Sequence, residues 1–134
     1  MALKDQVRRF YHDIWNIPDV SVVPEVLHPE LTFRGSLGAV KQGHDEFIEY
    51  LASVTAALGE YRCEIDEMVE EGNRVVARMT FAGVHRAPFL GFAPTGKMVS
   101  WSGAAFFRFE GELVRDLWVL GDVQSLMQQL RGST

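Results

Sequence analysis

Two apolar runs, 104–109 and 113–120, flank a Glu110-Gly111 turn, and apolar residues at 123, 126, 127 and 130 follow directly. That order leaves a chain few options: a hairpin of long strands that hands over to a short amphipathic helix. Asp122 stands at the handover. A carboxylate where a mostly apolar strand stops suits either chemistry or a helix cap.

Upstream, Leu3, Val7, Phe10 and Ile14, with the adjoining Tyr11 and Trp15, recur at three- and four-residue intervals, which predicts a helix over 2–16 that Pro18 stops. A second helix is expected from Ser21 as cap to Leu27, with Pro24 in its first turn and Pro29 ending it. Leu31 and Phe33 alternate with Thr32 and Arg34 in a short strand that runs into a Gly35–Gly38 loop. Phe47, Leu51, Val54 and Leu58 mark a third helix, with Asp45 and Glu46 in its first turn and Gly59 as its stop. From Tyr61 the period becomes two. Tyr61, Cys63 and Ile65 face one way, and the phase slips around Asp66-Glu67-Met68, where a bulge fits. After a Gly72-Asn73 turn, Val75, Ala77, Met79, Phe81 and His85 share one face of the next strand. Residues 86–97, with two prolines, two glycines and Phe89, Leu90 and Phe92, suit a lid.

Helices followed by an antiparallel meander predict an α+β domain with helices on one face of the sheet. The other face also looks apolar, through Val76, Val84, Ala104 and Phe106, and predicts a homodimer. A chain of 134 residues that is 47% hydrophobic matches one domain, 1–134. Net charge is −5, and the basic residues cluster only at Arg8-Arg9, which argues against nucleic acid and for a small hydrophobic partner. Cys63 is the single cysteine, no leader is visible, and no apolar run reaches the ~18 residues of a membrane span. A cytoplasmic protein is the expectation.

The strand holding Trp118, then Asp122, Leu126, Gln129, Leu130 and Gly132 resembles the C-terminal signature of the SnoaL-like polyketide cyclase family, also called ester cyclases. Where that family usually ends Gln-Leu-Gly, this chain has Gln129-Leu130-Arg131-Gly132, one residue longer. The likeness extends through Gly83-Val84-His85 and Gly91-Phe92-Ala93-Pro94-Thr95-Gly96-Lys97. It covers most of the second half in motifs and the first half by element order. The resemblance implies the nuclear-transport-factor-like cone, a curved, mainly antiparallel sheet wrapped around N-terminal helices and enclosing an apolar cavity. It also implies an acid/base role for Asp122, and a site role for His85 at the strand end before the lid.

The residues themselves leave each role open. Asp122 is either a helix N-cap or, if it faces an apolar cavity, a base whose pKa desolvation raises. Strict alternation places Asp116 and Trp118 on the same side as Asp122, yet Asp116 fits a rim charge paired with Arg115 or Arg108 equally well. His85 either bonds a substrate carbonyl or orders the loop. His12 and His28 are weaker candidates. Trp15, Phe33, Phe47, Phe89, Phe92, Trp101 and Trp118 either line a pocket for a flat ligand or are plain core, and the two tryptophans 101 and 118 bring an indole N–H that needs a partner. No HExxH, His/Cys cluster, phosphate-binding glycine loop or Gly-x-Ser-x-Gly elbow occurs, so neither metal nor cofactor is expected. Two functions remain: cofactor-independent proton transfer next to a carbonyl, with aldol-type cyclisation or isomerisation, or binding without turnover on the same fold. An epoxide-hydrolase-like site would need Arg78 with Asp66 and Asp116.

Overall fold

A computed structural model of the chain describes residues 2–132. Helix α1, Leu3–Arg9, continues without a break into a π-helical segment, Phe10–Asn16. The predicted first helix therefore has the right span and a wider second half. A short turn at Val20–Val22 leads to α2, Val23–Val26, with Pro24 in its first turn. The residue that caps this region is Asp19, whose side chain accepts from Ser21 N–H at 3.0 Å, and not Ser21. Ser21 is instead the donor, because the chain turns two residues earlier than its proline suggests.

Six strands follow around helix α3, Gly43–Ala57: β1 Leu27–Arg34, β2 Val40–Gln42, β3 Leu58–Glu71, β4 Arg74–His85, β5 Met98–Glu110 and β6 Leu113–Gly121. Helix α4, Val123–Leu130, closes the chain. The strands form one mixed sheet in the order β2-β1-β6-β5-β4-β3, in which only β1 and β6 run parallel. This is the α+β architecture read from the sequence, with the helices on one face. The short strand expected over 31–34 is the second half of β1; its first half, from Leu27, and the short β2 lay outside that reading because their residues are largely polar.

The expected bulge is present. The β3–β4 register slips between Ile65 and Glu67, so Asp66 is the extra residue. Among the other slips in the sheet, one between Arg108 and Phe109 opposite β6 leaves Arg115 unmatched and reverses the parity of β6. Val114 is buried before it, Leu117 and Val119 after it, and Trp118 and Leu120 are turned out. The inward residues Val75, Ala77, Met79, Phe81, Phe107 and Leu117 pack against Phe10, Ile14, Phe47 and Leu51 from the helices, all buried.

Candidate functional site

The sequence packs aromatic rings where the π-helical segment crosses the inner face of the sheet. Phe10, Tyr11 and Trp15 come from that segment, Phe33 and Ser36 from β1 and its loop, Tyr50 from α3, Tyr61 and Cys63 from β3, Phe81 from β4 and Val119 from β6. They enclose a narrow cavity of about 20 Å³. A single water needs roughly 10–15 Å³ on this scale. The rings meet mainly edge to face: Trp15 with Tyr61 at 5.4 Å, Trp15 with Tyr50 at 6.1 Å and Tyr11 with Phe107 at 5.9 Å between centroids. Such pairs fix ring orientation beyond what area burial does.

All three tyrosines of the chain are here, and each keeps its proton. Burial pushes the Tyr11 and Tyr61 phenols well above their ordinary value, with Cys63 adding to the rise. Burial also pushes Tyr50 up to about 12. The Cys63 thiol is raised by burial as well, against a smaller opposing effect of its hydrogen bond with Tyr61. An ionised group would lose its hydration in this cavity, so neutral donors prevail. Among the described residues, three buried side-chain polar atoms have no hydrogen-bond partner: the Tyr11 hydroxyl, the Trp101 indole N–H and His85 Nε2, the last away from the cavity wall. Trp101 stands just behind the cavity wall, with its ring 5.5 Å from Phe81 and 6.2 Å from Tyr61. Its Nε1 would lie 3.1 Å from a methyl group at Gly121, and Ser36 O would lie 2.9 Å from it, so only glycine lets β6 close against the cavity wall here.

The asparagine at the end of the π-helical segment ties it to the sheet. Asn16 Nδ2 donates to the Cys63 carbonyl at 3.0 Å, and Cys63 N–H donates to Asn16 Oδ1 at 2.7 Å. One side-chain amide thus stands in for a neighbouring strand on the open edge of β3.

Several sequence candidates lie elsewhere. Asp122 is exposed, with its carboxylate accepting from Ser125 N–H at 3.0 Å as the N-cap of α4, the placement that the sequence reading left open beside a cavity-facing one. The cap reading holds because the backbone N–H groups of α4 reach it first. Trp118 is 42% exposed on the outer face, beneath the Arg34 guanidinium at 5.0 Å and beside Phe106, and so is no part of the cavity. The Arg115 slip is the reason. Asp116 sits opposite Arg108 in the register. Arg78 pairs with Asp66 at 3.8 Å and Glu67 at 3.3 Å and, as Asp116 faces Arg108 instead, forms no Asp-Arg-Asp set.

His85 is fully buried, and its Nδ1 accepts from Thr95 N–H at 3.2 Å, which ties the 86–97 loop to the end of β4. Phe89 packs on His85 at 6.4 Å, and Phe89 and Phe92 bridge each other across Leu90-Gly91, both in the left-handed region. This loop folds on itself and not over the cavity, so His85, Phe89 and Phe92 stand apart from it. Trp15 and Phe33 line the cavity; Phe47 packs directly behind both. His12 is exposed beside Asp13, and His28 lies near Glu110. Tyr11, Tyr50, Tyr61 and Cys63 escaped the sequence reading as site residues. Their only signal was shared phase with the apolar stripe, which marks core and cavity wall alike.

A sequence profile of the SnoaL-like polyketide cyclase family matches residues 5–130. No curated protein matches the chain significantly. Among solved structures it is similar to TsrD from Streptomyces laurentii, at 26% identity and a TM-score of 0.85, with 96% of this chain and 93% of that one covered. It is also similar to a protein described as a SnoaL-like polyketide cyclase from Jannaschia, at 20% identity and a TM-score of 0.88, covering 98% and 93%. A third, described as a polyketide cyclase from Acidithiobacillus ferrooxidans, is 22% identical with a TM-score of 0.86 and coverage of 98% and 96%.

Proposed function

The chain belongs to the SnoaL-like polyketide cyclase family, and from that premise we propose that it binds a small hydrophobic carbonyl compound whose oxygen is held by Tyr11 in the aromatic cavity. One observation carries this reading: a buried phenol with no partner on a wall otherwise made of rings. An unmet donor costs about 1–3 kcal/mol, which an acceptor oxygen on a ligand recovers. Because burial keeps the phenol protonated, it donates throughout the neutral range. A hydrogen bond to a carbonyl oxygen draws charge from the adjacent carbon and stabilises an enolate, which is the step that aldol-type ring closure or isomerisation requires.

A second reading adds turnover, with Asp122 as the base, and needs no cofactor. What favours it is position, since Asp122 follows Gly121, which abuts Ser36 of the cavity wall. What opposes it is the cap, which occupies the carboxylate. The apolar outer face supports a homodimer as the working form.

Binding of ethyl acetoacetate, followed by proton NMR, tests the first reading. Tyr11→Phe should weaken it by up to about tenfold, the value of one hydrogen bond. Equal affinity would remove Tyr11 from the site. Deuterium exchange at the α-carbon of the same ester tests the second: unchanged exchange in Asp122→Asn leaves binding and polarisation as the function.

A further inference from the structure

The hydrogen bonds of the 86–97 loop are gathered at its two ends. Arg86 N–H and Ala87 N–H donate to the Ala57 carbonyl at the close of α3, and at the far end Gly96 N–H donates to the His85 carbonyl while His85 N–H donates to that of Lys97. In the middle, Phe89 and Phe92 bond to each other. Among the described residues between Ala87 and Gly96, Thr95 alone is bonded to the rest of the fold: its N–H donates to His85 Nδ1 at 3.2 Å, and its Oγ1 lies 3.2 Å from the same nitrogen. Phe89 and Phe92 otherwise hold the segment by apolar packing, and residues 87–96 include no charge.

The acceptor is an ionisable ring with no exposed surface. Because Nδ1 accepts, the neutral ring carries its hydrogen on Nε2, which is buried without a partner. A proton added to Nδ1 turns the acceptor into a donor, which opposes Thr95 N–H and puts a charge in a dry setting. Thr95 Oγ1 is no full remedy. It already accepts from Lys97 N–H at 3.2 Å, and turning to it leaves the Thr95 N–H unbonded. No carboxylate offsets the charge either: the histidines with one in ion-pair reach are His12 and His28, and among the described residues His85 has none. At this end β3 brings Glu60, which pairs with Arg86 at 3.6 Å where both are exposed, exposed Arg62, and Tyr61, a buried neutral phenol. Helix α3 has no charged residue after Glu49, α4 has none, and Lys97 before β5 is exposed.

We propose that His85 is a proton-operated latch on the 86–97 loop. Neutral, it holds Thr95; protonated, it releases residues 88–95 and uncovers Phe89. Leu90 favours release, because its φ of 50° lies in the left-handed region that a leucine enters only under constraint. Protonation of histidine is a recurrent way of switching a local element. The latch is independent of the cavity and of the ligand proposed for it.

Amide exchange and ring nitrogen NMR of the whole chain between pH 8 and pH 5, about the range in which imidazoles take up a proton, test it. At pH 8 the ring should show the Nε2–H tautomer. On acidification the protection of Thr95, corrected for the intrinsic exchange rate, should fall about tenfold or more, the value of one hydrogen bond, with the same midpoint as the ring. Met79, inside the β4–β5 ladder, should change by less than about twofold. His85→Asn, with an oxygen close to the place of Nδ1 and no proton to gain, should keep Thr95 protected at both pH values. If that variant fails to fold, the wild-type ring and amide midpoints decide by themselves. Protection lost equally in His85→Asn, a protonated ring with Thr95 still protected, a ring neutral throughout, or loss at Thr95 only together with Met79 would each overturn the latch.

Discussion

Two adjacent rungs of the β5–β6 hairpin carry similar side chains and have opposite fates. Phe107 pairs with Leu117 and Phe106 with Trp118 in adjacent rungs of one ladder. The first pair is buried under the helices at 1% exposure each, whereas the second is 45% and 42% exposed. Inside, rings meet rings from two helical segments and leave a narrow cavity. Outside, one aromatic pair and Leu120 stay exposed, with the Arg34 guanidinium lying over the Trp118 ring. Aromatic content therefore marks neither a pocket nor a core; what faces the aromatic side chain does.

The contrast predicts unequal costs. Phe107→Ala should destabilise the fold by about 3–5 kcal/mol, through lost burial and the void left in contact with Phe10 and Tyr11. Phe106→Ala should cost under about 1 kcal/mol in dilute protein. Urea unfolding at low and high protein concentration checks both. A cost for Phe106→Ala that grows with concentration would mean that the outer face is covered by a second copy, as the homodimer proposal requires. Concentration-independent, equal costs for the two phenylalanines would erase the difference between the faces.

The inner face also has a pH signature that the outer face lacks. With every tyrosine raised by burial, the folded chain holds phenol protons that the unfolded chain releases near pH 10. The sign follows from linkage: the unfolded state binds fewer protons, so stability falls as pH rises. For Tyr50 the loss runs from about pH 10 to its folded value of about 12. Phenolate absorbance should thus appear together with loss of circular dichroism, and no tyrosine should titrate in the folded protein near pH 10. A tyrosine that ionises there with the fold intact would show an open cavity wall.

How much of this was legible beforehand differs between the same two faces. The helix stripes, the Asp66 bulge and the Gly111 turn follow from local periodicity, and the fold followed from their order. Parity across β6 did not, because a single unmatched residue, Arg115, turns Trp118 outward and nothing in the run from Leu113 to Leu120 announces it. The cavity wall was partly visible. Trp15 and Phe33 stood out as large rings, but Tyr11, Tyr61 and Cys63 looked like any other inward residues. What sets them apart is a polar atom in a dry place, which is a property of three elements meeting and not of any one.

Asp122 offers the smallest expected effect and the sharpest division between the roles open to it. As a cap, it satisfies the Ser125 N–H, so Asp122→Ala should cost about 1 kcal/mol while Asp122→Asn, an equally good cap, should cost only a few tenths. As a base, the difference between the two substitutions vanishes in the activity readout: Asn abolishes proton abstraction as completely as Ala does, since neither side chain accepts a proton at neutral pH. Measuring both substitutions by thermal unfolding and by α-carbon exchange separates the roles with four numbers. Stability lost only in Asp122→Ala, with exchange unchanged in both, fits a carboxylate placed for α4. Exchange lost in both would mean that the carboxylate leaves the helix end to reach the ligand, and that the handover from β6 to α4 serves the cavity after all.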